Sequence, residues 1–403
     1  MGNPVASLPT FDLLGAEDSL EALARASART SLSWVPALGA YLVTGYDNVV
    51  AALKDGRLLA ANATQGFERL TAAEQETLRP LRMSIDMWMG HTTTEGHHRF
   101  QQLLKRYFTP STVNGLRPRV RALTGELLDA VADRGRMDVV RDLAYPLPAD
   151  IIAEMFGMPR GDRERLRAWS RQLGVVFRNP DTAQFLVSQD NVLEMQDYLR
   201  GIVAARRAEP GDDLISMFVG AEREGLVTED EIVANCGLLL FAGHETTANL
   251  VTRGLHTLLN HPDQLALLRA RPELNRYAVE EMLRHAGPVV TVVRQTVAPV
   301  VVDGHEIPVG QHLFLAVYSA NHDPAVFPDP MRFDITRKNN RHVAFGIGAY
   351  YCLGAALARV ETDECLRLLL DRFPDLRFAA DDAPVIVPAP PIGYRVAALP
   401  VEF

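Results

Sequence analysis

Apolar residues dominate the run that follows Thr228, and no proline interrupts it until Pro262. Thr228-Glu229-Asp230-Glu231 opens this run as a capping box, in which the Thr228 hydroxyl and the Glu231 carboxylate each accept from a backbone N–H at the helix start. About thirty helical residues reach about 45 Å at the usual rise. A helix that long and apolar on most sides is predicted to run through the middle of the fold. Residues 115–205 read as amphipathic helices broken at Gly135, Pro146-Leu147-Pro148, Gly157-Met158-Pro159 and Asn179-Pro180, with Arg163, Glu164 and Arg167 on a solvated face. Residues 97–107 read as a helix stopped by Phe108-Thr109-Pro110. Glu280-Glu281-Met282-Leu283-Arg284 closes another helix, and residues 46–53 start one. Strand signals are fewer. They fall at residues 38–44 and in the valine-rich residues 288–302, with Asp303-Gly304 as a hairpin turn. Residues 67–90 show no regular period. The pattern predicts a mainly α chain with a small β region. Length alone favours two or three domains, but no linker, charge block or repeat divides residues 1–403, so that expectation is weak.

Composition narrows the class. Of 403 residues, 47% are hydrophobic but only 7% aromatic, which fits a large aliphatic core in a soluble protein. A net charge of −9 argues against nucleic acid, whose phosphates need a basic face. Asp12, Glu17, Asp18 and Glu21 exclude a signal peptide at the start. Met1-Gly2 lacks the Ser or Thr at position 6 that myristoylation needs, since Ala6 stands there. The most apolar stretch, residues 233–242, is too short to span a bilayer. Cys236, Cys352 and Cys365 make an odd count without framework spacing, so a reducing cytoplasm is the expected setting.

The most informative chemistry lies at Phe345-Gly346-Ile347-Gly348-Ala349-Tyr350-Tyr351-Cys352. Gly346 and Gly348 let the backbone take conformations closed to other residues and approach a flat ligand. Cys352 then sits at a helix start, where free N–H groups favour a thiolate, a good axial ligand for iron. Three other chemistries share parts of this pattern. A lone cysteine is most often a small buried hydrophobe. A dinucleotide fingerprint fails because its third glycine falls on Tyr351. Zinc fails because no Cys-x-x-Cys occurs.

This stretch resembles the haem-binding loop of the cytochromes P450, Phe-Gly-x-Gly-x-His/Arg-x-Cys-x-Gly. Further segments resemble that family in its own order. Ala242-Gly243-His244-Glu245-Thr246 resembles the oxygen-activation motif. Gly243 costs about 1 kcal/mol relative to Ala in a helix interior, and a missing side chain there makes room for dioxygen. His-Glu-x-x-His is excluded because position 248 is Ala248. The spacing of Glu281 and Arg284 puts them on one helix face. They resemble the Glu-x-x-Arg motif, with Arg332 of the segment Phe327-Pro328-Asp329-Pro330-Met331-Arg332-Phe333 as the expected third partner. Counting back from Phe108-Thr109-Pro110 puts His97 at the family's propionate histidine and Gln101 where the family has arginine. Tyr350 likewise replaces the histidine or arginine before the cysteine. Arg294 occupies the family's propionate arginine position.

The resemblance implies a single-domain P450 fold of the soluble bacterial type. Its haem b would lie between the long central helix and the cysteine helix, with Cys352 bound to iron. Ala242, His97, Arg294, Phe345, Gly346, Gly348, Tyr350 and Gln101 would hold the haem, and Gly243, Glu245 and Thr246 would handle oxygen and protons. The expected activity is monooxygenation of a small apolar organic molecule in natural-product metabolism. The expected pocket residues are Met83, Trp88, Leu239, Val289, Val293 and Ile392. The cluster Met83, Met87, Trp88 and Met89 reads equally as core. Residues 390–394 resemble the terminal hairpin that touches substrate, and residues 178–181 the loop over its entrance. No flavin or nicotinamide motif is present, so electrons would come from a ferredoxin-type donor with its reductase. Arg337, Lys338, Arg341, Lys105 and Arg106 offer a docking surface or an ordinary solvated one. Two rivals stand beside this reading. One is a haem-thiolate binding or sensing protein without turnover, against which Glu245-Thr246 argues. The other is a peroxide-driven oxidase, which often lacks that pair.

Overall fold

The computed structural model describes residues 8–12, 19–26, 30–61, 67, 69–90, 93–176, 181–389 and 393–403. Its axis is the helix Glu229–Leu259, 31 residues long, and the capping box at Thr228 is present with both reciprocal bonds. Most of its second half is buried, and among the described residues it packs against eight other α-helices, including Pro146–Met155, Arg163–Val176, Asn275–Ala286 and Ala355–Arg372. A helix touched on so many sides needs the all-round apolar surface seen in its sequence.

Two large apolar clusters flank this axis. One joins the helix Pro110–Ala132 to the cysteine helix Ala355–Arg372 and the second half of the central helix. The other gathers Arg79–Asp86, Arg163–Val176, Thr182–Ala208 and Leu214–Arg223 around its first half. Pro146-Leu147-Pro148 begins a helix rather than breaking one, because proline at the first helical position loses no intrahelical bond. The expectation of irregular chain over residues 67–90 is corrected. Thr71 caps the helix Ala72–Thr77 through a capping box with Glu74, and Arg79–Asp86 follows with Pro80 in its first turn.

The β region is small. Five strands pair in the spatial order Leu32–Val35, Ala40–Val43, His312–Leu315, Val292–Thr296, Leu58–Ala60. Arg294 pairs with Leu313 on one side and with Ala60 on the other, which fixes its side chain at the sheet's cavity end. The predicted turn at Asp303-Gly304 joins Val300–Val302 to His305–Ile307. The terminal hairpin pairs Val385–Pro388 with Tyr394–Ala398, and its tip, with Ile392, lies outside the described residues. Residues 178–180 of the expected entrance loop also lie outside them, and Asp181 caps the helix Thr182–Ala208. No described helix is long and apolar enough to cross a membrane.

Candidate active site

Between the central helix and the cysteine helix lies an apolar cavity. Leu238, Leu239, Ala242, Gly243 and Thr247 form one wall; Cys352, Gly354, Leu357, Ala358 and Glu361 form the other. Cys352 is deep in the protein mass, yet its surface is open to this cavity. Burial pushes its thiol up, while the Gly354 backbone N–H and the Arg359 charge pull the other way. The loop before it is tied back by the Cys352 N–H donating to the Phe345 carbonyl at 3.0 Å. Gly346 and Gly348 have φ of 69° and 79°. A Cβ on Gly348 would also sit 3.1 Å from the Leu53 carbonyl oxygen, so both space and backbone angle demand glycine there. Behind the loop, Arg359 lies 4.5 Å over the Phe345 ring and donates to Glu280, which also meets His342 at 2.9 Å. Burial works against the Glu280 carboxylate, but its bonds from His342 and Arg359 outweigh it and hold it down at about 2.

One edge of the cavity gathers the residues expected to face propionates. Nδ1 of His97 lies 2.8 Å from the Met89 carbonyl, and Nε2 lies 3.1 Å from that of Ala349. The Gln101 amide donates to the same Ala349 carbonyl, and Lys105 Nζ donates to Gln101 Oε1 at 3.0 Å. The His97 and Tyr350 rings are 4.4 Å apart. The Arg294 guanidinium sits 4.7 Å over the Tyr350 ring. Arg294 is 6% exposed, and among the described residues it donates to the Val293 carbonyl alone and has no partner for Nε. Burial accordingly pulls its pKa down, with Tyr350 opposing. Among the described residues no carboxylate forms an ion pair with it, so this buried cation is left for an anion from outside the chain.

The oxygen-motif residues divide. Ala242 and Gly243 line the cavity, whereas Thr246 donates to the Ala242 carbonyl at 2.6 Å, within its own helix. Glu245 accepts from the Tyr145 hydroxyl at 2.9 Å. Gly243 has a second neighbour besides the cavity: a Cβ there would lie 2.9 Å from Ile152 Cδ1, so the missing side chain also lets two helices approach. Glu361 and Thr247 were not anticipated. Glu361 is wholly buried, and burial pushes its carboxyl up to about 8, with Thr247 opposing. Its only sequence signal is an acid at helical spacing among apolar residues.

Several expectations are corrected. Glu281 and Arg284 form a fully buried ion pair at 2.8 Å, but the third side chain is Arg337, 3.3 Å from Glu281. Arg332 contributes its backbone carbonyl, 3.0 Å from Arg284, and not its guanidinium. Arg337 is thereby tied inward and is no free surface cation. Of the expected pocket residues, Leu239 lines the cavity. Met83 is 54% exposed on the outer face of its helix. Trp88 is a core residue, 1% exposed. Val289 and Val293 are half-buried by the sheet and outside the cavity wall. Met89, Ile152, Met155, Phe156 and Leu214 line it instead, Met89 from the turn after Arg79–Asp86 and the others from helices or helix ends whose periodicity alone marks them as core.

A cysteine opening from a glycine loop onto an apolar cavity beneath a long helix, with an unpaired arginine at its edge, is the site of a haem-thiolate protein. The cytochrome P450 family model matches residues 175–277 and 269–384. The chain is 38% identical to cytochrome P450 107B1 of Saccharopolyspora erythraea over 93% of each sequence. It is 43% identical to cyclomarin C epoxidase CymV of Salinispora arenicola over 69% of this chain and 71% of that protein. The crystal structure of CalO2 superposes with a TM-score of 0.90 at 30% identity, covering 98% of this chain and 99% of that one. This chain belongs to the cytochrome P450 family and is an oxidoreductase of the monooxygenase class. Membership implies a haem-thiolate cofactor, and the residues present fit one. Cys352 is accessible, the loop glycines permit close approach, and Arg294 lacks an anion.

Proposed function

We propose that this chain uses dioxygen and electrons from a ferredoxin-type donor with its reductase to oxidise a small apolar natural product in the cytoplasm. The observation that carries this is the facing of Cys352 and the Ala242-Gly243 turn across one apolar cavity. The cofactor would be haem b, with Cys352 as the metal ligand and Phe345, Gly346, Gly348 and Ala242 against its faces. His97, Gln101, Tyr350 and Arg294 would anchor its propionates. Once bound, an iron porphyrin with a thiolate ligand supplies the activation of dioxygen.

The chain's own residues do the rest. Leu238, Leu239, Ile152, Met155 and Phe156 exclude water and hold an apolar substrate by contact alone. Thr246 and Glu245 sit side by side on the central helix, the alcohol bonded to its own helix and the acid reaching towards Tyr145. That pair can hold and pass protons at the oxygen-facing turn. A relative named as an epoxidase of cyclomarin C supports a natural-product substrate. Lys338, Arg341, Lys105 and Arg106 are the cations available to an acidic donor.

The test is reconstitution with a surrogate ferredoxin and reductase against a natural-product library. Candidates are chosen by their shift of the haem absorption band. Substrate-dependent consumption of reduced nicotinamide with an oxygenated product supports the reading. Binding without consumption overturns it in favour of a sensor; turnover with peroxide alone overturns the electron donor. In the same protein, Cys352→Ser is expected to abolish the red-shifted ferrous–CO band, whereas Cys236→Ser and Cys365→Ser keep it.

A further inference from the structure

We infer that Tyr145 is a positioning residue for Glu245, and that the arginine-walled surface cavity beside it is where Glu245 exchanges protons with solvent. The inference rests on the reading above that Glu245 handles protons, and it adds the route by which they arrive.

Tyr145 stands at a junction the backbone does not make casually. It follows a single π-helical turn, Val140–Ala144, and its N–H donates to the Val140 carbonyl at 3.0 Å. Pro146 then starts the next helix. Such π turns are rare and cluster at functional sites. Two successive residues of the central helix grip this one tyrosine. Nε2 of His244 lies 2.9 Å from the Tyr145 carbonyl, and Glu245 accepts from its hydroxyl at 2.9 Å. The His244 ring also meets the Tyr145 ring edge-on at 4.3 Å, and Ser170 lies 2.7 Å from Nδ1. Burial drives His244 down to about 4, so it is neutral, with one nitrogen donating to the carbonyl and the other accepting from Ser170. A neutral imidazole on the backbone and a carboxylate on the phenol leave the Tyr145 ring one orientation.

That orientation joins Glu245 to the surface. Tyr145 forms part of the wall of a cavity of about 400 Å³, together with Pro146, Glu164, Arg167, Arg171 and Arg395. Arg167 is paired with Asp150 and Glu164, and Arg141, also in this wall, with Asp142. Arg171 and Arg395 form no ion pair among the described residues, and both act on the phenol. Burial and then the Glu245 carboxylate push the Tyr145 hydroxyl up, and these two cations oppose them. The step balances without any other reactant. After Glu245 has given up a proton, the phenolic O–H breaks as an O–H forms on Oε1. In the same step a hydronium in the cavity water gives its proton to the phenolic oxygen and is left as water, so no phenolate forms on a hydroxyl that burial keeps protonated. One proton has moved from solvent to Glu245, and the tyrosine ends as it began.

The experiment uses the haem-loaded enzyme with its electron donor and a substrate already shown to turn over. Tyr145→Phe keeps the ring and removes the hydroxyl. Its substrate affinity, read from the haem band, should hold, while peroxide released per nicotinamide rises roughly tenfold, the scale of one hydrogen bond to a charged acceptor. The infrared carboxylate band of Glu245, isolated by difference against Glu245→Gln, should shift in Tyr145→Phe. The double variant Arg171→Gln with Arg395→Gln leaves the interior untouched. It should lower coupling and raise its sensitivity to deuterated solvent. An unmoved band overturns the positioning role. A shifted band with unchanged coupling in both variants overturns the proton route. If Glu245→Gln itself couples normally, the acid's role fails first, and that outcome is distinct because the band shift in Tyr145→Phe would still be seen.

Discussion

Arg284, held against the segment before the cofactor loop, and Arg294, held against Tyr350 of that loop, are both buried arginines, and their surroundings are opposite. Arg284 is 0% exposed and donates to Glu281 through Nε and Nη2, both at 2.8 Å. Its other donors reach the carbonyls of Asn321, Pro330 and Arg332. Glu281 in turn accepts from the Asp334 N–H and from Asn340. Arg294 has a ring face and one carbonyl. A charge held in low dielectric needs a counter-charge or it destabilises the fold. Arg284 finds its counter-charge in Glu281; among the described residues Arg294 finds none. The first is therefore architecture and the second, on the function proposed above, a binding group, although both are equally plain arginines in the sequence.

The largest effect should come from breaking the satisfied region. Arg284→Ala leaves Glu281 buried without its main partner, and losses of about 3–5 kcal/mol are typical of such a change. Denaturant unfolding should show it, or the protein should fail to accumulate. A loss under 1 kcal/mol would remove the distinction drawn between the two arginines.

A comparable effect follows from pH, because two neutral histidines lie in the same region. Burial first, and then neighbouring charges such as Arg284, press His285 down to about 2 and His322 to about 3. Their unfolded value is 6.5. Stability from keeping these rings neutral is complete above that value and is lost as pH falls below it, since the unfolded chain then binds protons that the folded chain refuses. Each ring should cost about 1.4 kcal/mol per pH unit below 6.5. Unfolding midpoints at pH 7.5, 6 and 5 should fall, and less steeply in His322→Asn.

The unsatisfied region should respond in cofactor retention and hardly in fold. Arg294→Ala is expected to lose haem to an apo-haem scavenger faster than wild type, by the ~1.5–3 kcal/mol of a charge-assisted hydrogen bond, while the apoprotein is no less stable. Smallest of all, Gln101→Ala and Tyr350→Phe remove neutral donors worth ~0.5–1.5 kcal/mol and should release haem less readily than Arg294→Ala. Equal release from Gln101→Ala and Arg294→Ala would mean that Lys105, bonded to Gln101, carries the charge on that side.

Local signals were legible and long-range ones were not. The capping box at Thr228 and the proline-free run announced the central helix, and the spacing of Glu281 and Arg284 announced their shared face. Arg332 and Arg337 look alike in sequence, and only the path of the chain decides which guanidinium turns inward. Met83 and Trp88 sit in one methionine-rich stretch, yet the helix Arg79–Asp86 sends Met83 outward. Tyr145 carries no motif. Its contact with Glu245 spans 100 residues and depends on how two helices meet.

The close approach of Gly243 and Ile152 makes these two positions behave as a single heritable unit. An alanine at 243 would meet Ile152 Cδ1, the far end of a flexible side chain, at 2.9 Å, so the isoleucine must turn to admit it, whereas Ile152→Val removes that atom at a cost of about 0.5–1.5 kcal/mol. The order in which the two substitutions occur then changes what each one costs. Since Ile152 also lines the cavity, each permitted step at 243 passes through an altered substrate chamber. Change in the oxygen turn and change in what the chamber accepts are therefore expected to travel together.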